Sequence, residues 1–135
     1  MKAKLFLLTA LFALAGMAFA QDASAIKFEK RTHDFGTIQE ADGRVEAVFE
    51  FENVSNKPIT LTNVQASCGC TTPNWPKEPI APGKKSYITA TYNPAGRPGN
   101  FNKSITIRYL KAGDEKASAV ILHIKGSVIP NTQAQ

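Results

Sequence analysis

The chain has 135 residues, of which 20% are charged, and its net charge of +5 comes from 16 Lys and Arg against 11 Asp and Glu. This length fits one domain with a small core. The basic residues are scattered, with no run longer than Lys30-Arg31 or Lys84-Lys85. Because nucleic-acid-binding proteins concentrate Lys and Arg in a patch, the charge pattern argues against nucleic acid as a partner.

The first 20 residues have the features of an export signal. Lys2 and Lys4 precede an apolar run, and Ala18-Phe19-Ala20 places small residues at the two positions that a signal peptidase reads. An uncleaved membrane anchor or a buried helix is the alternative, but the run is shorter than the roughly 20 apolar residues that span a bilayer. Because both lysines leave with the signal, cleavage after Ala20 would lower the net charge from +5 to +3.

The expected mature protein has one domain at 21–129 and a polar tail at 130–135. It contains no other long apolar segment, so no membrane span is expected after cleavage. No Cys follows the cleavage point, and a bacterial lipid anchor is not expected either. We therefore expect a periplasmic or extracellular protein.

Apolar and polar residues alternate with a period of two along most of this domain, which is typical of half-buried strands. The clearest segment places Val45, Ala47, Phe49 and Phe51 on one face, with mainly glutamates on the other. The predicted strands are two short edge strands at 26–28 and 35–38, followed by 44–53, 59–66, 86–93, 101–110 and 117–128. A bulge is predicted near Thr62-Asn63, and a bulge or close packing is predicted at Gly126.

Turns and loops separate these strands. The segments 53–58 and 111–116 have the residue types of turns, 72–79 is a Pro-rich irregular link, and 94–100 is a loop with two Gly and two Pro. About seven short strands without a helix predict an antiparallel β-sandwich of the immunoglobulin-like kind. The two cysteines are too close in sequence to bridge two sheets.

Cys68-Gly69-Cys70 is the constellation with the most chemical potential. In an extended strand the two thiols share a face, with Cα atoms about 6.6 Å apart, at the upper edge of disulfide geometry. Gly69 would permit the bend that a disulfide needs. Three interpretations stand: a structural pair, free or bonded; a redox-active dithiol; and a soft-metal site for copper or zinc. The metal interpretation is the weakest of the three. Zinc usually takes four ligands, and beside the two cysteines only His33 and His123 could supply strong nitrogen donors.

Other residues favour structural interpretations. His33-Asp34 lacks a nucleophile in a suitable motif, so a turn or capping role is expected for Asp34 and no catalytic residue is assigned. No cofactor is expected. Trp75 is interpreted as a lid over one end of the core or as an exposed contact residue. Trp75 and Arg97 lie in the two Pro-rich loops and are the candidate contacts for a partner.

The motifs resemble one family. They are His33-Asp34-Phe35-Gly36-Thr37-Ile38, Phe49-Glu50-Phe51-Glu52-Asn53, Ser67-Cys68-Gly69-Cys70-Thr71, Ile80-Ala81-Pro82-Gly83 and Gly126-Ser127-Val128. In this order they are similar to the secreted bacterial domain-of-unknown-function family numbered 1573, itself similar to the immunoglobulin-like domains of the Hydin and major-sperm-protein group. The resemblance covers 28–128. It implies an extracytoplasmic sandwich and no established activity.

The sequence therefore predicts an exported, non-enzymatic module for protein binding or assembly in the periplasm or at the cell surface. Its partner would be a protein that the sequence does not identify, and its oligomeric state is left open. The alternative function is a thiol-based redox or copper-binding protein that uses Cys68 and Cys70.

Overall fold

The computed structural model describes residues 24–131, so the predicted export signal at 1–20 lies outside the described residues. The strands are β1 (Ile26–Phe28), β2 (Thr32–Gln39), β3 (Val45–Asn53), β4 (Ile59–Ala66), β5 (Thr71–Asn74), β6 (Lys85–Tyr92), β7 (Gly99–Lys111) and β8 (Ser118–Ile129). One turn of 3₁₀ helix, Glu40–Asp42, connects β2 to β3. No helix within the described range is long and apolar enough to cross a membrane.

The strands form two four-stranded sheets, in the orders β1-β3-β6-β5 and β2-β8-β7-β4. The inner faces of both sheets supply the core, because alternate residues of each strand point inward. Fully buried examples are Phe49 of β3, Ile88 of β6, Ile107 of β7 and Leu122 of β8. The prediction of an immunoglobulin-like β-sandwich is confirmed.

Two features of the sheets differ from the prediction. Residues 24–131 form eight strands rather than about seven, because part of the predicted irregular link forms β5, which pairs with β6 from Thr71↔Tyr92 to Asn74↔Thr89. Pro73 is compatible with β5 because an edge strand leaves the backbone on one side unpaired. The second difference is that β2 runs parallel to β8, so the sandwich is not antiparallel throughout.

The parallel pair arises where the chain changes sheets. β1 pairs with β3 in one sheet, and after Glu29-Lys30-Arg31 the chain enters the other sheet as β2. Both strands lie at sheet edges, as predicted, although β2 starts at Thr32 rather than 35. Sequence alternation identifies strands but does not say which strand each one pairs with, so the parallel pairing could not be predicted from it.

The two predicted irregularities are present. The register between β4 and β7 shifts between Leu61 and Asn63, which is the predicted bulge. Gly126 of β8 is closely packed, since a Cβ atom there would lie 2.9 Å from both the carbonyl oxygen of Gly36 and Cζ of Phe101. Phe101 in turn stacks on Tyr92 with 4.1 Å between ring centroids. Gly126 therefore lets β2 and the Phe101 ring approach β8.

Candidate functional site

Cys68 and Cys70 lie in the turn that carries the chain from β4 in one sheet to β5 in the other, and they are joined by a disulfide bond. Their Cα atoms are 5.3 Å apart, which is closer than the about 6.6 Å expected for an extended strand. The turn explains the difference, because the Thr71 N–H donates to the Cys68 carbonyl oxygen over 3.4 Å. The chain is therefore bent at the pair rather than extended, as a disulfide across one residue requires.

The surroundings of the disulfide differ at its two ends. Cys70 is buried, and its carbonyl oxygen accepts a hydrogen bond from the Asn93 N–H at 2.8 Å. Cys68 is half-buried and packs against the edge of the core. The Thr71 hydroxyl contacts both sulfur atoms, at 3.9 and 3.8 Å. The disulfide thus closes a sheet-crossing turn and has Cys68 as its more exposed residue.

The two histidines occupy separate environments. His33 of β2 is half-buried, with its ring centroid 4.5 Å from that of Phe35 and 6.4 Å from that of Phe49. His123 lies on the adjacent strand β8 of the same sheet, where it is half-buried and stands in register with Thr32 rather than with His33. Successive residues of a strand point to opposite faces, so the two rings lie on opposite faces of this sheet. No group of three His, Cys, Asp or Glu side chains that could hold a metal ion occurs within residues 24–131.

Asp34 has the predicted turn role. One oxygen of its carboxylate accepts the Gly36 N–H at 2.8 Å, and Gly36 has a φ of 65°. The carboxylate also lies 3.8 Å from the Lys125 ammonium group. The hydrogen bond closes the turn at which the register between β2 and β8 shifts. Asp34 therefore shapes an edge strand, and its carboxylate is not directed at His33.

Trp75 follows β5 and is half-buried against the core, which is compatible with the predicted lid. The Lys77 ammonium group lies 2.9 Å from the centroid of its ring, a cation–π arrangement. The ring also lines a groove of about 230 Å³, together with Asn74, Pro76, Ser86, Tyr87 and Thr89. Trp75 thus covers the core with one part of the indole and borders an open groove with another.

Tyr87 is the residue of this groove that sequence reasoning missed. It is 59% exposed, although Tyr is usually half-buried in soluble proteins. Its position could have been found from the alternation in β6: Ile88, Ala90 and Tyr92 point inward, so Tyr87 must point outward. Trp75 and Tyr87 together give one outer sheet face an aromatic groove beside the edge strand β5.

Arg97 lies in the loop after β6, at the end of the sandwich that also contains the disulfide turn. Its guanidinium group donates to the carbonyl oxygens of Asn93 and Ala95, over 3.3 and 2.9 Å. Trp75, by contrast, borders residues 86–89 of β6. The structure therefore does not bring the two predicted contact residues into one site.

Glu40 connects three segments at the end of the sandwich that carries Arg97. Its carboxylate accepts hydrogen bonds from the backbone N–H groups of Gly96, at 2.7 Å, and Asn131, at 3.1 Å. The bond from Gly96, followed by that from Asn131, lowers the pKa of the Glu40 carboxyl below its ordinary value. No residue pattern predicts this contact, because the partners of Glu40 are backbone groups that are distant in sequence.

A family model described as "Protein of unknown function (DUF1573)" matches residues 26–128. The chain belongs to this family. The resemblance carried by the motifs is thereby confirmed. No curated protein matches the sequence.

Solved structures share the fold. The chain is similar to PapD-like domain 7 of human CEP192, with a TM-score of 0.67 and 9% identity over 81% of this chain and 88% of that one. It is similar to WR4, a Caenorhabditis elegans MSP family member, with a TM-score of 0.55 and 14% identity over 79% of this chain and 100% of that one. A chain from the complex of Salmonella enterica SafA pilin with the SafB chaperone gives a TM-score of 0.51 and 13% identity over 82% of this chain and 56% of that one. Identities this low establish the fold and not the function.

Proposed function

We propose that this protein is an exported, non-enzymatic module that binds or assembles with another protein in the periplasm or at the cell surface. The observation that carries the proposal is the aromatic groove formed by Trp75 and Tyr87 on the outer face of one sheet. Trp and Tyr are enriched in protein interfaces, because each combines a large apolar area with few rotatable bonds. A half-buried Trp75 beside a 59% exposed Tyr87 is an arrangement of this kind.

The groove also contains polar side chains that could orient a partner. Asn74 and Thr89 are direct cross-strand neighbours on β5 and β6, and Ser86 completes the lining. Binding surfaces typically combine an apolar centre with a few hydrogen-bonding groups. Lys77, which lies over the Trp75 ring, is a further group that a partner could displace or contact.

The shared fold supports protein assembly as the class of function. One similar chain comes from a complex of a pilin with its chaperone, according to the description of that structure. The non-enzymatic part of the proposal is supported by the roles of the residues that suggested catalysis. His33 packs between aromatic rings, and the Asp34 carboxylate is engaged by Gly36 and Lys125.

Site-specific photocrosslinking tests the groove directly. A benzophenone side chain in place of Tyr87 should give a discrete covalent adduct with another protein in the native cell envelope. The matched control carries the same group in place of Ile121, which is 49% exposed on the other sheet. An adduct from Tyr87 but not from Ile121 is expected. Equal adducts from both positions, or none from Tyr87, would contradict the groove as the contact surface.

Export is tested separately, because it depends on residues 1–20. Signal cleavage after Ala20 predicts that protein from the native envelope begins at Gln21. N-terminal sequencing gives the answer. A chain that still begins at Met1 in a purified membrane fraction would refute export by a cleaved signal.

A second candidate function uses the disulfide. Cys68 is half-buried and the neighbouring Gly69 is exposed, so a reductant could reach the Cys68 sulfur. Reduction would take up two electrons and two protons and give two thiols, which a soft metal such as Cu(I) could bind. Thiol alkylation and elemental analysis of native protein test this. A fully oxidised, metal-free pair that stays oxidised with glutathione would remove this candidate.

A further inference from the structure

The edges of the two sheets are protected to different degrees. An unprotected edge strand presents free N–H and C=O groups to which another strand can add. On β4, a bulge interrupts the edge near Asn63, and Ile59 already exchanges two backbone hydrogen bonds with Ile80, at 3.0 and 2.7 Å. On β2, the turn at Gly36 shifts the register. Both strands therefore lack a continuous free edge.

The edge of β5 is protected by proline. The Asn93 N–H donates to the Cys70 carbonyl oxygen, so residue 70 faces β6. Alternation then directs Thr72 toward β6 and Pro73 away from it. Pro73 has no N–H to offer on the outward side, where an added strand would need one. Strand addition at β5 is thereby blocked.

The edge of β3 lacks such protection over more than half of its length. β1 pairs only with Phe51–Asn53, through the register Ile26↔Asn53 to Phe28↔Phe51. One further bond, from the Glu29 N–H to the Glu50 carbonyl oxygen at 3.2 Å, shows that Glu50 faces this side. Alternation directs the backbone N–H and C=O groups of Glu46 and Val48 to the same side. No strand among the described residues pairs with them there.

The side chains beside this edge cover the core incompletely. Phe35, Ile38 and Val45 pack against the core but are only partly buried. A groove of about 240 Å³ runs along the edge, lined by Glu29, Lys30, His33, Val48, Phe49 and Glu50. Val48 is 51% exposed on the outer face. An added strand could therefore bury apolar surface on its inner side as well as form backbone hydrogen bonds.

Charge defines what kind of strand fits. Glu46 and Glu50 flank Val48 on the outer face, and neither carboxylate lies within ion-pair distance of a cation among the described residues. β1 shows the matching pattern further along β3, where Lys27 stands opposite Glu52 while Ile26 and Phe28 are buried. Opposite charges on directly paired strand positions are stabilising.

We propose that the edge of β3 from Val45 to Phe49 binds an extended segment of a partner protein, in which apolar residues on the inner side alternate with basic residues on the outer side. The segment would continue the line of β1 and pair with the backbone of Glu46 and Val48. This inference rests on the proposed role in protein binding, and it names a partner chemistry and an edge separate from the Trp75–Tyr87 groove.

A second copy of this chain is a poorer occupant. If two β3 edges paired with each other, Glu46 and Glu50 of both copies would share one outer face. Like charges on neighbouring positions of paired strands are destabilising. The pattern of acidic residues thus discourages self-association and favours a basic partner.

Titration with a synthetic peptide tests the proposal. The probe is the capped sequence Ile-Lys-Ile-Lys-Ile with a Gly-Ser tail for solubility, added to the purified protein and followed by NMR and calorimetry. The amide protons of Glu46 and Val48 should become protected from exchange, while that of Tyr87 should not change. Val48→Pro removes an N–H that faces the open side, so it should weaken binding at least tenfold without breaking the ladder to β6.

A charge swap controls for damage to the fold. The double variant Glu46→Lys, Glu50→Lys should lose at least tenfold in affinity for the lysine peptide. It should gain at least tenfold for the same peptide with Glu in place of Lys. Ile121→Ser, at an exposed position of the other sheet, should bind the lysine peptide as the unaltered protein does. A misfolded variant would bind neither peptide, so the swap separates recognition from folding.

Three results would overturn the proposal. One is the absence of protection at Glu46 and Val48 with millimolar peptide, and another is undiminished binding by Val48→Pro. The third is a concentration-dependent dimer that Val48→Pro converts to monomer in sedimentation, which would make a second copy the occupant. If the peptide fails to bind while Tyr87 still crosslinks to a protein, the proposed function stands and only the edge site fails.

Discussion

Asn53 is a buried polar side chain whose removal should be costly. It ends β3 with its side chain fully buried. Its amide nitrogen donates to the carbonyl oxygens of Lys57 and Ile80, both at 2.8 Å. Its amide oxygen accepts from the N–H and the hydroxyl group of Ser55, at 3.0 and 2.7 Å. One side chain thus fixes the β3–β4 turn and attaches it to the segment before β6.

Asn53→Ala removes all four hydrogen bonds, each with a net contribution of about 1 kcal/mol. The two carbonyl oxygens keep other donors, since the Ser55 hydroxyl also bonds Lys57 and the Ile59 N–H also bonds Ile80. Neither oxygen is therefore left without a partner, which reduces the expected loss in the free energy of unfolding to about 3 kcal/mol.

Urea unfolding followed by circular dichroism measures this loss, and the melting temperature should fall by roughly 10 °C. Asn102→Ala, at an exposed position of β7, is the matched control and should change stability by less than about 0.5 kcal/mol. A loss below about 1 kcal/mol for Asn53→Ala would refute the argument that its network stabilises the fold.

Asn53→Asp adds a pH test of the same site. The new carboxylate would face two carbonyl oxygens in a buried position, which raises its pKa in the folded state. The free energy of unfolding of this variant should therefore be largest below the unfolded-state pKa of about 3.9, where the new carboxyl group is neutral. It should fall as the pH rises from there through the higher folded pKa. Unfolding at pH 3 and pH 7 measures the difference, and equal losses at both would contradict the burial argument.

Three further predictions concern other parts of the sandwich. Replacing Cys68 and Cys70 with Ser should cost only about 1.5 kcal/mol in urea unfolding, because the loop that the disulfide closes is very short; a loss above about 4 kcal/mol would contradict this. Gly126→Ala should cost about 1–3 kcal/mol through overpacking, whereas Gly69→Ala, where a Cβ meets nothing within 4 Å, should be nearly neutral; equal effects would refute the close-packing argument. In NMR, the Glu40 carboxyl should titrate below its ordinary pKa of 4.5. Its hydrogen bonds to the backbone should therefore stabilise the fold above pH 4.5 and be lost as the pH falls through the lower pKa of the folded state. A folded-state pKa at or above 4.5 would exclude these hydrogen bonds.

The alternation of side chains predicted most of the fold because each long strand has one buried face. In β7, for example, Phe101, Ile105, Ile107 and Tyr109 share a face in the sequence and are all buried. β5 was missed because its four residues, Thr-Thr-Pro-Asn, contain a proline and no alternating apolar set. It is a strand because β6 offers a free edge beside it, which is a property of the tertiary structure.

The candidate site was less predictable than the fold for the same reason. Cys68 and Trp75 could be selected by residue type. The roles of Tyr87 and Glu40 depend on neighbours that are remote in sequence, such as the Gly96 N–H. The free edge of β3 is also invisible in the sequence, because Val45–Asn53 reads as one uniform strand. The outer edge of its first half is free because β1 is short and the chain then crosses into the other sheet as β2, whereas the inner edge pairs with β6.

The two proposed contact surfaces belong to one face of the molecule. Glu50 stands directly opposite Tyr87 across the β3–β6 ladder, and Val48 stands opposite Thr89, which in turn stands opposite Asn74 of β5. Adjacent strands are about 4.8 Å apart, so β3 and β5, which lie on either side of β6, are about 10 Å apart. A single partner domain can cover that distance. A strand donated at β3 would fix the register of such a partner, while Tyr87 would supply a large apolar contact beyond it.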